Sequence, residues 1–204
     1  MNEKELYAAI CMILSDRPVE KIDAIFFHGR GVDDHDGLFE LSTSFYKDGL
    51  AKFIVINGFD GFLNAPGRGF YLSEFVTRRV LRPYIVLSDA ASNTKEENDA
   101  FVKLSRCKNW RSAAILTQPH QILRAFLGAI NSMRKQNYLM RLYAIFPHST
   151  LWFKHVFGSQ GAENKERFEH IFEELKRIPI YQEKGDLCTF SEFFEYIKNR
   201  DKIP

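Results

Sequence analysis

The sequence predicts a Rossmann-like, doubly wound α/β fold. The mainly parallel sheet has five strands and helices on both faces, with extra helices at the N- and C-terminal ends. Short apolar runs rich in β-branched and aromatic residues alternate four times with segments of helical length and period. Four of the five runs are almost continuously hydrophobic, which is typical of strands covered on both faces in a parallel sheet.

The elements follow from these runs and from the period of apolar residues between them. Strands are predicted at 22–28, 51–57, 84–88, 113–117 and 138–146. Crossover helices are predicted at 38–48, 71–81, 94–108 and 121–135, and terminal helices at 3–15, 162–178 and 190–199. We see neither an internal repeat nor a linker, which indicates a single domain over residues 1–204.

Residue types at three positions predict where helices begin or end. Thr94 and Glu97 have the spacing of a capping box, which would begin the third crossover helix. Gly49 can take the left-handed conformation that ends the first crossover helix. Pro83 disfavours helix at the preceding residue, so we expect the second crossover helix to end there.

Composition excludes several classes of protein. The chain has 204 residues, 45% hydrophobic and 26% charged, so it is neither disordered nor fibrous. Its formal net charge is only +2, which argues against nucleic-acid binding. Cys11, Cys107 and Cys188 show no disulfide or zinc spacing and favour a reducing, cytoplasmic setting. The N-terminal segment has neither the charge pattern of a signal peptide nor the length of a membrane span.

Candidate ligand-binding residues follow the predicted strands, because ligands of open parallel sheets collect at the carboxyl ends of the strands. The residues at these ends are Gly29, Arg30, Asn57, Gly58, Ser92, Asn93, Thr94, Thr117, Gln118, Gln121 and Arg124. Arg30 follows a glycine turn and Arg124 lies in the first turns of a helix, and both could bind the oxygens of an anion.

Each of these groups also has a plainer interpretation. The segment from His28 to Gly31 is either a phosphate loop or an ordinary turn, because it lacks a full Gly-x-Gly-x-x-Gly motif. The acidic run around Asp34 contains metal-ligand types, but a solvated loop has the same composition. For the segment from Ser92 to Thr94, helix capping alone accounts for the residue types and is the favoured interpretation. The sequence does not contain a Gly-x-Ser-x-Gly nucleophile motif.

Several segments match, in order, the motifs of a known family. They are Asp23 to Gly29, Tyr46 to Gly58, Ser73-Glu74, Ser92 to Glu96, and Thr117-Gln118 with Arg124-Ala125. In these segments the chain resembles the YdcF-like proteins, which are grouped with ElyC and SanA. The likeness covers roughly residues 22–146, and the C-terminal addition at about 150–204 lies outside it.

The resemblance implies a pocket at the strand ends and a largely unknown biochemistry. The residues it implies for the pocket are Gly29, Gly58, Glu74, Asn93, Thr94, Glu96 and Arg124. One family member is associated with S-adenosylmethionine, and others with bacterial envelope assembly and lipid-carrier metabolism. The chain departs from the family at Glu97, where Asn is usual, and at Gln121, where His is usual and His120 comes one position early.

Three functional hypotheses remain open. The first is a protein that binds an anionic small molecule, nucleotide-like or phosphorylated, with Asn93 and Thr94 at a helix N-terminus and Arg124 as the anion-binding residue. The cofactor implied by the resemblance is S-adenosylmethionine.

The second hypothesis is a phosphoester or pyrophosphate hydrolase. Its general base would be Glu74 or Glu96 and its acid His120, with a metal ion at Asp33, Asp34 and Asp36 as an optional addition. The third is a non-catalytic interaction protein that docks a partner or a second copy through C-terminal aromatic residues. These are Trp152, Phe153, Phe157, Phe193 and Phe194. The alternative, which we favour, is that these aromatic residues cover the sheet.

Overall fold

The structure is a computed structural model that describes residues 2–62, 64–158 and 163–203. In chain order, the elements of these residues are α1 (Glu3–Ser15), β1 (Ile22–Phe27), α2 (Leu38–Lys47), β2 (Ala51–Ile56), β3 (Gly61–Phe62), β4 (Ala65–Pro66), α3 (Arg68–Thr77), β5 (Ile85–Leu87), α4 (Thr94–Lys108), β6 (Ser112–Leu116), α5 (Pro119–Lys135), β7 (Arg141–Ile145), β8 (His155–Phe157), β9 (Asn164–Glu166), α6 (Glu169–Glu183) and α7 (Phe190–Arg200). A single 3₁₀ turn at Arg82–Tyr84 precedes β5.

The central sheet is parallel throughout, and its strand order is β5-β2-β1-β6-β7 among the described residues. The chain moves outward from β1 through β2 to β5, and then returns to the other side of β1 at β6. β1 is therefore the point at which the strand order reverses, and a crevice opens at the carboxyl end of such a point. The Rossmann-like prediction is confirmed.

Alternate residues of each strand pack into hydrophobic cores on opposite faces of the sheet. In β1, Ala24 and Phe26 face a core formed with α1, α4, α5 and α7. Ile25 and Phe27 face the other core, formed with α2 and α3. Both faces of the sheet are covered, so its strands can be apolar almost without interruption.

The first two crossover helices end differently from one another. Gly49 has a φ of 68°, and its amide and that of Leu50 donate to the carbonyls of Tyr46 and Phe45. This is the C-terminal motif predicted for α2. The prediction for α3 was wrong, because α3 ends at Thr77 and Arg79 already has a φ of 65°. Pro83 lies instead in the 3₁₀ turn that leads into β5.

The capping box predicted at Thr94 is also wrong, by one residue. The cap of α4 is Asn93, whose side-chain oxygen accepts from the amide of Glu96 at 3.0 Å. Glu96 in turn accepts from the amide and hydroxyl of Ser92. Glu97 therefore takes no part in the cap, and its side chain is buried.

The C-terminal part begins with a hairpin, whose second strand, β9, lies where the apolar period predicted the start of a helix at 162–178. β8 and β9 pair in antiparallel fashion, and α6 begins at Glu169. Residue 162, where the predicted helix starts, lies outside the described residues. α6 and α7 pack on α5, and α7 begins with a capping box formed by Thr189 and Glu192.

The C-terminal aromatic residues divide into buried and exposed groups. Phe193 is fully buried and contacts Phe126 edge-to-face. Trp152, Phe157 and Phe194 are half-buried, whereas Phe153 is 76% exposed. Among the described residues, we find no helix with both the length and the apolar character needed to cross a bilayer.

Candidate functional site

A cavity of about 380 Å³ lies at the carboxyl ends of β1 and β2 and continues between α4, α5 and α6. Its volume falls in the range of small-molecule sites. The residues that line it are Gly29, Arg30, Gly31, Asn57, Phe59, Asn64, Ala65, Pro66, Tyr71, Ala91, Ser92, Asn93, Thr94, Lys95, Glu97, Asn98, Gln121, Arg124, Gly128, Gly158, Arg177, Tyr181, Asp186 and Leu187.

Glu97 lies at the floor of this cavity and joins three elements. Its carboxylate accepts from the amide of Gly29 at 3.0 Å and from the side chain of Asn57 at 3.2 Å. Its other oxygen is 3.1 Å from Nδ1 of His28, which is fully buried. Burial would raise the pKa of Glu97, but the interactions with His28, Gly29 and Asn57 hold it below its ordinary value.

Asn57 fixes the loop that follows β5. Its side chain donates to the carbonyl of Ala91 at 2.8 Å and accepts from the amide of Ala91 at 3.0 Å. The backbone at Gly58 also passes so close to the carbonyl of Ser88 that a Cβ at Gly58 would overlap it. Together these contacts hold the start of α4 against the end of β2.

Arg30 is held by protein partners. Its guanidinium donates to Asp34 and to Gln121, and Nη2 lies 2.9 Å from Nε2 of His120. Nε2 of His120 must therefore accept, which leaves this imidazole neutral. Burial, followed by the charge of Arg30, lowers the pKa of His120 well below its ordinary value. Asp34 binds Arg167 as well, at 2.9 Å.

Tyr71 connects the same loop to α3. Its hydroxyl accepts from the amide of Arg30 at 3.0 Å and lies 3.0 Å from Nε2 of His35. Burial raises the pKa of Tyr71, so the hydroxyl is protonated at neutral pH. Burial also lowers the pKa of His35 to about 4. Tyr71 therefore presents a neutral hydroxyl to this cavity, whereas His35 lines the separate surface cavity beside α2 and α3.

The opposite wall carries three cationic side chains in addition to Arg30, together with the carboxylate of Asp186. Lys95 lies in the first turn of α4, where helical amide groups lack partners within the helix. Arg124 of α5 and Arg177 of α6 both bind Glu174. Glu174 is buried and does not itself line the cavity.

Most of the predicted ligand-binding residues come together. The cavity is lined by Gly29, Arg30, Asn57, Ser92, Asn93, Thr94, Gln121 and Arg124. Gly58 and Thr117 lie beside it, and Gln118 donates to the carbonyls of Asp34 and Asp36 instead. At the position where the family has His, Gln121 faces the cavity and accepts from Thr117 at 2.8 Å.

The three predicted catalytic residues do not come together. Glu74 lines a separate surface cavity with Phe70 and accepts from Arg78 at 2.6 Å. Glu96 caps the turn at Ser92, and His120 is buried against Arg30. None of these three side chains is among the residues that line the cavity at the strand ends.

The acidic run after β1 forms ion pairs. Asp34 binds Arg30 and Arg167, and Asp36 binds Lys154 and Arg167. These cations hold the pKa of Asp34 and of Asp36 below its ordinary value, against the effect of burial. Within the described ranges, no three His, Cys, Asp or Glu side chains are placed to hold a metal ion.

Sequence reasoning missed part of the cavity wall. The missed residues are Gly31, Phe59, Asn64, Ala65, Pro66, Tyr71, Ala91, Lys95, Glu97, Asn98, Gly128, Gly158, Arg177, Tyr181, Asp186 and Leu187. The sequence could have indicated Glu97, because the chain departs there from the pattern of the family that it resembles. Nothing in the sequence indicated the cavity-lining residues of α6. The chain matches no protein-family model and no curated protein.

Proposed function

We propose that the chain is a YdcF-like protein that binds an anionic small molecule, phosphorylated or nucleotide-like, in the cavity at the carboxyl ends of β1 and β2. The observation that carries this proposal is the lining of that cavity, where the first turn of α4, Arg124 and Gln121 converge on one space. The resemblance supplies S-adenosylmethionine as a nucleoside-containing alternative. It has no phosphate and a net positive charge, so only its carboxylate could take the place of the anionic group. The free thiols Cys11, Cys107 and Cys188 are in keeping with a cytoplasmic location.

Electrostatics favours an anion in this cavity. The first amide groups of α4 carry partial positive charge, and the side chains of Lys95 and Arg124 lie nearby. The carboxylate of Glu97 also lines the cavity, but its two oxygens already have donors from Gly29, Asn57 and His28. A phosphate at this end of the cavity would contact the first amide groups of α4. It would share Arg124 with Glu174 and Lys95 with Asp99, and the carboxylate of Asp186 lines the cavity as well.

The rest of the ligand has apolar and aromatic surfaces to contact. Phe59 and Pro66 line the end of the cavity near β2, and Tyr181 and Leu187 line the end near α6. A cavity with mixed apolar and polar walls suits an organic group that carries a phosphate better than a bare inorganic ion.

The hydrolase alternative gains no support from these positions. A general base and acid must both reach the reacting atoms, yet Glu74, Glu96 and His120 lie apart from the cavity. A partner-docking role would depend on the aromatic residues that remain exposed, of which Phe153 is the most exposed at 76%. We therefore favour small-molecule binding.

The test is a thermal-shift screen of the purified protein against S-adenosylmethionine, nucleotides, sugar nucleotides and isoprenoid phosphates. A ligand at 100 times its dissociation constant adds about 2.7 kcal/mol, which raises Tm by roughly 5–11 °C for a domain of this size. We expect Thr94→Ala and Arg124→Ala to reduce that shift, measured from each variant's own Tm.

The matched control is Arg106→Ala, which removes an exposed arginine at the far end of α4. It should leave the ligand-induced shift unchanged. If all compounds give no shift with the wild-type protein, or if Thr94→Ala and Arg124→Ala both keep the full shift, the proposal is wrong.

A further inference from the structure

Helix α6 places an arginine in the same cavity from outside the part of the chain that resembles a known family. Nη1 of Arg177 donates to Oε1 of Glu174 at 2.9 Å, and Nη2 of Arg124 donates to the same oxygen at 3.2 Å. Nε of Arg124 donates to the other carboxylate oxygen. One buried carboxylate thus holds two guanidinium groups side by side.

Both arginines belong to the lining of the cavity, and their shared partner does not. Arg124 and Arg177 line it, whereas Glu174 is 4% exposed and is not among the lining residues. The carboxylate of Glu174 offsets one of the two guanidinium charges, and the carboxylate of Asp186 also lines the cavity. The neighbouring Glu173 is 4.0 Å from Arg177 and is also bound by Lys165.

We propose that Arg177 and Arg124 together bind a terminal phosphate group of the ligand, so that the C-terminal addition helps to determine which ligand the cavity accepts. This inference rests on the proposed function. A guanidinium binds phosphate oxygens through two parallel hydrogen bonds. Two guanidinium groups and the first turn of α4 suit the three oxygens of a terminal phosphate better than the two of a carboxylate.

The wall that carries Arg177 is fixed to the sheet domain. The side chain of Asn131 on α5 donates to the carbonyl of Gly185 at 2.9 Å. The amide of Cys188 donates to the carbonyl of Leu127, and Gln182 donates to the carbonyl of Cys188 at 2.8 Å. The α6–α7 connection is therefore anchored on α5, and binding needs little ordering of this wall.

The experiment is a calorimetric titration of the full chain with inorganic pyrophosphate, inorganic phosphate and acetate. We expect pyrophosphate to bind most tightly, and Arg177→Ala to weaken it by about 10- to 100-fold, as for the loss of a charged hydrogen bond. The matched control is Lys176→Ala, which removes a positive charge from the exposed face of the same helix, one residue away. It should change the affinity less than about 2-fold, because exposed charges are screened.

The outcomes separate this inference from the proposed function. If Arg177→Ala binds pyrophosphate as tightly as the wild type while Arg124→Ala does not, Arg177 has no part in the site, but the proposed function stands. If acetate binds as well as pyrophosphate, the preference for phosphate is wrong. If wild type binds neither phosphate nor pyrophosphate, this inference is overturned, and the panel of organic ligands alone decides the proposed function. Arg177→Gln replaces Arg177→Ala if the alanine variant unfolds.

Discussion

Replacing Glu97 with alanine removes a carboxylate that sits beneath the cavity. The amide of Gly29 and the side chain of Asn57 would lose their common acceptor, and the buried His28 would lose its hydrogen-bond partner. Leaving these three groups unsatisfied costs about 3–5 kcal/mol of unfolding free energy, at about 1–3 kcal/mol for each group. For a domain of this size, that loss lowers Tm by roughly 6–20 °C.

The neighbouring residue provides the matched comparison. Glu96→Ala removes the same carboxylate one position earlier, where it is exposed and only caps the turn at Ser92. The loss of such a cap costs about 0.5–1 kcal/mol. Glu97→Gln keeps an oxygen for Gly29 and Asn57 and should fall between the two alanine variants.

Urea unfolding followed by circular dichroism measures all three variants. A free energy of unfolding for Glu97→Ala that equals that of Glu96→Ala would refute the reasoning, because it would mean that the carboxylate of Glu97 is not the shared acceptor of this network. An effect of Glu97→Gln as large as that of Glu97→Ala would show that the charge, rather than the two hydrogen bonds, stabilises the fold.

Two further predictions concern pH and backbone conformation. Because burial lowers the pKa of His35 to about 4 from an unfolded value near 6.5, its contribution is complete above pH 6.5 and is lost as pH falls. The stability difference between wild type and His35→Gln should therefore shift by about 3 kcal/mol between pH 7 and pH 4, and a constant difference would contradict this prediction. At Gly49, where φ is 68° and no atom would contact a Cβ, Gly49→Ala should cost about 1–2 kcal/mol. Gly69→Ala in α3, which also meets no atom but has no such φ, should be neutral or stabilising by up to about 1 kcal/mol, and equal effects in thermal melts would count against the backbone argument.

The sequence alone determined the central sheet and the helices that cover it. The strands β1, β2 and β6 are short apolar runs, and strands buried on both faces must be apolar. Gly49 marked the end of α2 correctly because a left-handed residue is a local requirement. The strand-end rule also found Asn57, Thr94 and Gln121, because parallel strands bring their carboxyl ends to one edge.

Only the tertiary structure decided which side chains face the cavity and which bind to protein. Glu96 and Glu97 are adjacent in sequence, but they point about 100° apart around the helix, so one caps a turn and the other is buried. The pairing of Arg124 with Glu174 joins residues 50 positions apart. No local pattern encodes that contact, because it forms only when α6 packs against α5.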